Sequence, residues 1–317
     1  MKVLQRTLSV LIFLIPSKVF ALEGNLALDL GTAGNSRAHA DSLAAIRTMP
    51  SSISLTPRYQ IAGSAYVYPN LDYGLSGAAV DSSTGTVAIG VLYYRESRKY
   101  GLDSSLLPGW KLPDEEISEL SLHSLVGGSL AVSFLNRSTS LGISGFYLGT
   151  SNDLDVFTHA VELNMSVGAK FLDQLIVGVS FVDLLSQSKG RGVEAALRWG
   201  ALDVSGPTWK KCLDASDLYY SSGGLEVDLG TQEEGFAFIG VSGDIPLSCN
   251  FSIRGGYQRQ ILLEEHRYGV GVSLENVVNS IGYDMQIRQS AQGLEHIHML
   301  SLMMRLSNDP FSRKPHL

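Results

Sequence analysis

The chain has 317 residues, of which 44% are hydrophobic and only 17% charged, with 33 glycines, a formal charge of −7 and a mean hydropathy of +0.11. The acidic balance argues against a nucleic-acid partner. No stretch beyond the N-terminus approaches the roughly 20 consecutive apolar residues of a transmembrane helix, so the chain is either soluble and β-rich or crosses a membrane as strands.

Residues 1–21 read as a secretory signal. Lys2 and Arg6 supply the positive start, Leu8 to Ile15 the short apolar stretch, and Val19-Phe20-Ala21 the cleavage site, so cleavage is expected after Ala21. No Cys follows that site, which argues against a lipoprotein. Loss of Lys2, Arg6 and Lys18 leaves 21 basic residues against 31 acidic ones, a formal charge of −10 for the exported chain.

Residues 22–58 do not alternate in polarity. Within them, Ser36 to Thr48 is Ala-rich and predicts a short helix, stopped at Met49-Pro50 because proline disfavours helix in the residue before it. A segment of this length can fold into a wide barrel as a plug; a periplasmic tail is the plainer alternative.

From residue 59 the pattern changes to period two. Val161, Leu163, Met165, Val167 and Ala169 alternate with Glu162, Asn164, Ser166 and Lys170. Val193, Ala195, Leu197 and Trp199 alternate with Glu194 and Arg198, and Ile281, Tyr283, Met285 and Ile287 with Asp284, Gln286 and Arg288. A strand sorts such residues onto two faces, whereas a helix scatters them. The same test predicts fourteen strands near 59–69, 71–81, 86–96, 121–135, 138–150, 157–170, 173–184, 191–202, 222–230, 234–243, 250–262, 266–275, 279–289 and 295–307. Short turns such as Asp81 to Gly85 and Asn136-Arg137 separate many of them. Segments of about 9–13 residues suit a tilted membrane crossing, while strands of a soluble β-sandwich average about 5–6. The expected fold is all-β, a closed transmembrane antiparallel β-barrel plugged by its N-terminal segment. Its divisions are a signal peptide (1–21), a plug or hatch (22–58), a barrel (59–307) and a tail (308–317).

Two connections are predicted to be long, 97–120 and 203–221. The second holds Cys212, which strand parity places at the same end of the barrel as Cys249. An exported pair can form a disulfide, and two free thiols are the alternative. Tyr66, Tyr68, Tyr93, Tyr94, Trp199, Tyr257, Tyr268 and Tyr283 lie near strand ends, where either an interfacial girdle or a packed core would place them.

The stretch 31–50, GTAGNSRAHADSLAAIRTMP, resembles the leading segment of the FadL-like outer-membrane transport barrels and their PorV-type relatives. The matching residues are Gly31, Gly34, Ser36, Arg37, Ala38, Asp41, Ala44, Ala45 and Pro50. The family's Asn-Pro-Ala triplet is Met49-Pro50-Ser51 here, and the chain runs past its last strand to Leu317, with Phe311 in place of a terminal aromatic. The resemblance implies a fourteen-stranded barrel in the bacterial outer membrane with its N-terminus tucked inside. Gly31, Gly34, Ser36, Arg37, Asp41 and Pro50 are then the hatch residues. FadL members pass hydrophobic molecules such as fatty acids, and PorV-type relatives serve secretion and surface attachment. The implied partners are outer-membrane lipid with either a hydrophobic small molecule or a protein complex.

Catalytic signatures are sparse. No G-x-S-x-G, H-E-x-x-H, Walker or C-x-x-C pattern occurs, and His296 and His298 share a strand face with no third ligand nearby. An Asn/His/Ser hydrolase constellation assembled in space is a third, weaker reading. The expectation is a non-enzyme without metal or cofactor. The polar strand face is more informative, because Arg or Lys facing lipid at mid-membrane costs roughly 2–4 kcal/mol. Glu162, Asn164, Glu194, Arg198, Arg254, Asp284 and Arg288, with Lys170, Gln258 and Gln286, are therefore expected to face the lumen. They either line a wet pathway or pair with Arg37 and Asp41 to hold the plug. Intermixed signs favour the second use, since a charge-selective channel shows an excess of one sign.

Overall fold

The computed structural model describes residues 32–33, 35, 37–38, 42–56, 58–67, 73–83, 85–101, 118–152, 157–171, 175–185, 191–200, 224–233, 235–248, 251–275, 279–291 and 293–305. The signal peptide, Gly31, Gly34, Ser36, Asp41, both cysteines, Tyr68 and the tail lie outside them.

Alternation gives fourteen strands: β1 Tyr59–Val67, β2 Tyr73–Asp81, β3 Val87–Gly101, β4 Ser118–Phe134, β5 Thr139–Asn152, β6 Phe157–Phe171, β7 Leu175–Val182, β8 Gly192–Trp199, β9 Gly224–Gln232, β10 Gly235–Ser248, β11 Phe251–Gln260, β12 Glu265–Glu275, β13 Asn279–Ser290 and β14 Gly293–Arg305. Each pairs antiparallel with its sequence neighbours, and β14 returns to β1, closing the barrel. Closure pairs the edges that an open sheet would leave for other chains. Odd-numbered strands run from the end where β1 begins, the proximal end, to the distal end, and even-numbered strands return.

The two faces separate cleanly. Ile89 and Leu302 are 56% and 50% exposed, while Ala88 and Met303 beside them are 0% and 3%. The outer face is a band of Ile, Val and Leu suited to lipid acyl chains; the inner face encloses a lumen.

Strand existence follows the predicted pattern, while boundaries shift, most at the β3–β4 connection and at the end of β10. The β3–β4 ladder continues until Gly101 lies opposite Ser118, so pairing takes over both ends of the predicted 97–120 connection. Past the apolar layer an outward residue need not be apolar, so the period-two signal fades while the hydrogen-bond ladder persists. Strand β10 extends to Ser248 through Pro246, a proline that the ladder accommodates at a register irregularity between Pro246 and Ser248.

Among the described residues of the stretch Ser36 to Thr48, where a short helix is expected, one helical turn stands, α1 (Ala45–Thr48), followed by a 3-10 turn, Pro50–Ser54. Met49 between them leaves the helical region at φ −143° and ψ 69°, as a following proline favours, and Pro50 opens the next turn at a position where no N–H is needed. Both turns are buried inside the barrel against β3 to β6.

The aromatics divide. Tyr93, Trp199, Tyr268 and Tyr283 face outward, 44–57% exposed, and Tyr257 is half-buried on the same face. Tyr66 and Tyr94 face the lumen, fully buried and stacked on each other at 5.6 Å, so neither belongs to an outer girdle. Parity decides this: Tyr93 and Tyr94 are consecutive and must point to opposite faces.

Candidate functional site

Among the described residues, buried polar groups and an inner chain segment meet in the lumen. Its polar residues sit on strands because each alternates with a lipid-facing aliphatic, which leaves the charge no other direction.

The inner segment reaches these charges with two arginines. Arg47, on α1, makes a two-pronged pair with Glu162 of β6, Nε to Oε1 at 2.9 Å and Nη2 to Oε2 at 2.6 Å. Asn164, two residues on, donates to the Arg47 carbonyl at 2.9 Å and to Glu162 Oε1 at 2.7 Å, and its Oδ1 accepts from the Asp183 N–H. Arg37 donates to Glu194 of β8 at 2.7 Å and to Asp228 of β9 at 3.2 Å, with its guanidinium 4.4 Å from the centre of the Phe238 ring. The Ala38 N–H donates to Glu226 at 2.7 Å. Charge-assisted, forked pairs of this kind are the strong members of their class, and here all the partners are withdrawn from water.

Main-chain groups of the segment are also satisfied by the wall. The Ser51 N–H donates to Ser166 Oγ at 2.7 Å, and Ser140 Oγ donates to the Ser51 carbonyl at 2.6 Å. Asn35 donates to the Tyr257 carbonyl at 2.9 Å and accepts from Gln258 Nε2 at 3.0 Å, while Ser242 donates to the Asn35 carbonyl at 2.5 Å. The close approach needs missing side chains. A Cβ at Gly142 would lie 2.3 Å from the Ser51 nitrogen, and one at Gly240 would lie 1.8 Å from Asn35 Oδ1.

Other charges pair within the wall itself. Arg254 grips Asp284 with two bonds, at 2.6 and 2.7 Å. Arg198 bonds Asp244 at 2.6 Å and lies 3.6 Å from Glu226. Arg288, near the distal rim, bonds Gln286 at 2.8 Å and approaches Glu295 at 3.9 Å. Among the predicted lumen residues, Glu162, Asn164 and Glu194 thus meet the inner segment. Arg198, Arg254, Asp284 and Arg288 meet other strands. Pro50 opens the buried 3-10 turn and Arg37 reaches the β8–β9 wall, while Asp41, and with it the pairing expected of it, lies outside the described residues.

Sequence reasoning missed Arg47, Glu226, Asp228 and Asp244. A signal for Glu226 and Asp228 was present, because Leu225, Val227 and Leu229 alternate with them. Arg47 gave none: inside an Ala-rich stretch nothing tells a lumen-facing arginine from a solvated one.

Opposite the charged wall lies an apolar one. Strands β14 and β1 to β5 contribute Ile297, Met299, Met303, Ala62, Tyr66, Ala78, Val80, Ala88, Leu92, Tyr94, Leu125, Ala131, Phe146 and Leu148 to a cluster that includes Leu43, Ile46 and Ile53 of the inner segment. His296 and His298 lie on the outer face, where His298 Nδ1 is 2.7 Å from the Tyr283 hydroxyl. Among the described residues no three His, Cys, Asp or Glu side chains gather as a metal site.

No known protein family matches the chain by sequence, and no curated protein sequence matches it. Solved structures do. The Ralstonia pickettii toluene transporter TbuX superposes with a TM-score of 0.63 at 11% identity, covering 92% of this chain and 100% of its own. The P. putida toluene transporter TodX gives 0.59 at 10% identity, with 91% and 100% covered. The CymD monoaromatic hydrocarbon channel gives 0.58 at 11%, with 92% and 99% covered. At such identity the likeness is one of fold alone, a closed antiparallel β-barrel shared over nine-tenths of this chain.

Proposed function

We propose that this chain is a FadL-like barrel of the bacterial outer membrane, exported by a signal cleaved after Ala21, that passes small hydrophobic molecules across that membrane past its N-terminal segment. In this reading residues 22–58 are a hatch, with Gly31, Gly34, Ser36, Arg37, Asp41 and Pro50 among its working residues. Residues 59–307 are the barrel and 308–317 a tail, and the protein is a conduit rather than an enzyme.

The observation that carries the reading is the apolar wall: a strip of buried aliphatic and aromatic side chains from Met303 to Leu148, facing the lumen of a barrel whose opposite wall is charged. Such a strip offers a hydrophobic molecule the mostly apolar lining that small-molecule sites share. The transport named for the similar barrels supports the same direction. Deleting the gene and measuring uptake of a labelled long-chain fatty acid and of an aromatic hydrocarbon tests it. Uptake is expected to fall; unchanged uptake of every compound, with no bound molecule in the purified barrel, overturns it.

One observation favours a second reading, a scaffold for a surface or secretion complex without transport of its own. Arg37 and Arg47 fix the inner segment through buried pairs, which suits a lumen that stays shut. Recovery of the barrel alone from gently solubilised membranes at every detergent strength counts against this alternative.

A further inference from the structure

The outer face of the barrel carries a pattern that contact with acyl chains does not require. In three hairpins a tyrosine of the odd-numbered strand stacks on a histidine of the even-numbered one. Tyr147 lies on His159, Tyr257 on His266 and Tyr283 on His298, with ring centres 6.1, 6.0 and 6.1 Å apart. The placement is the same each time: the histidine stands two residues before the tyrosine's register partner, one outward step nearer the distal end. In the last two hairpins the tyrosine hydroxyl is 2.8 and 2.7 Å from histidine Nδ1. A neutral ring nitrogen accepts better than a phenol oxygen, so the hydroxyl donates and the ring proton sits on Nε2, a donor for another partner.

Strand register gathers more basic groups beside these pairs. Arg259 of β11 stands directly opposite His266, and the same outward row runs on through Gln289 to Leu294. On β14, His296 and His298 follow Leu294 on that face, and His298 lies opposite Val67, the last residue of β1, at the distal rim. Among the outward-facing side chains described on β11 to β14, Arg259 and these three histidines are the basic ones, and none is acidic. The neighbouring carboxylates stand off this face. Glu265 and Glu295 point inward, towards Arg267 and Arg288, and Glu264 is at the exposed tip of the β11–β12 turn. Apolar surface borders the basic groups on both sides, with Tyr268 and Val270 proximal and exposed Ile261, Leu262 and Leu263 distal. That setting suits an anion that arrives attached to acyl chains.

We propose that this distal outer face is a docking surface for a phosphate-bearing lipid headgroup. Arg259 and His266 hold a phosphate at one point, and His296 with His298 offers a second point about 10 Å away, two strand spacings along the sheet. The guanidinium fork matches phosphate oxygens, and the Nε2–H groups add donors whose direction the tyrosines fix. The acyl chains of the same molecule then lie along the aliphatic band on the proximal side. The surface rests on the outer-membrane reading above and is independent of what the lumen carries.

The test is native mass spectrometry of the full-length barrel after titration in detergent with diphosphoryl lipid A or with phosphatidylcholine, each with and without inorganic phosphate. Wild type is expected to retain lipid A and to hold far less phosphatidylcholine, whose phosphate already has a cation of its own. Arg259→Gln combined with His266→Gln is expected to weaken lipid A about fivefold or more, the attraction that one basic group supplies at an anionic lipid surface. Arg191→Gln, at an exposed position in the distal turn before β8, should leave it unchanged. Folding of each variant is checked by its heat-modifiable electrophoretic shift, and the wild-type preference stands as a test should the double variant fail to fold. Equal retention of both lipids, or a folded double variant that binds lipid A as wild type does, overturns the surface. Displacement of lipid A by inorganic phosphate also overturns it, because the anion is then held without its chains. Fractionation of cells making the barrel separates the two readings. Absence from the outer membrane overturns the location and the surface with it, whereas lost lipid selectivity in a barrel found there overturns the surface alone.

Discussion

The two walls of the lumen are built from the same kind of strand and behave differently. On β3 the inward run from Ala88 through Gly90, Leu92 and Tyr94 is uncharged until Glu96 near the distal end; on β9, across the barrel, the inward residues run Gly224, Glu226, Asp228 and Gly230. Both alternate with outward Val, Leu or Ile, so the lipid sees one continuous surface while the interior is divided. The inner segment is made to match. Consecutive residues Ile46 and Arg47 serve opposite walls: Ile46 packs over Gly90 of the apolar wall, and Arg47 grips Glu162 of the charged one. On the transport reading the apolar contacts are the adjustable ones, since they have no directional partner to lose when a ligand of similar shape replaces them. The charged contacts are specific, because a buried ion left alone is costly. The segment is thus held by buried ion pairs on one side and by apolar packing on the other.

The sharpest way to break that comparison is Arg47→Leu, which strands Glu162. It should lower barrel stability by about 3–5 kcal/mol, read from the urea midpoint of the unfolding transition in micelles. Adding Glu162→Leu should restore much of the loss, and a double variant as unstable as the single one shows that the pair is not the anchor. On the apolar side, Ile46→Ala should cost about 2–4 kcal/mol by the same measurement, through lost contact and a residual cavity. A smaller contrast lies within one strand. Gly142→Ala pushes a Cβ against the Ser51 backbone and should cost about 1–3 kcal/mol. Gly145→Ala, facing outward with nothing within 4 Å, should be close to neutral. The smallest effect is expected outside the lumen altogether. Tyr283→Phe removes an exposed hydrogen bond to His298 and should change the midpoint by less than about 0.5 kcal/mol.

The barrel was legible because period two is a local property: Val161 to Lys170 shows both faces of β6 without reference to any neighbour. The lumen-facing charges were legible for the same reason, since hydrocarbon forbids them the other face. Their partners were not. Arg254 and Asp284 are thirty positions apart on non-adjacent strands, and only the closed register brings them to 2.6 Å. The Tyr66–Tyr94 stack was hidden too, because an aromatic near a strand end reads as girdle until its parity is compared with that of its neighbours. The single-turn α1 reflects a stronger local rule: Pro50 ends the helix, and the contacts that position the segment come from the barrel rather than from helix propensity.

The division of the lumen is tested most directly by locating a bound molecule. Photolysis of a diazirine-bearing toluene analogue in the purified full-length barrel, followed by peptide mapping, reports which wall it touches. Labels should concentrate on peptides of β1 and β3 to β5, around Tyr66, Leu92, Tyr94 and Phe146, and fall when excess p-cresol competes. Labels concentrated on β8 to β11, or spread evenly without competition, would contradict a path along the apolar wall.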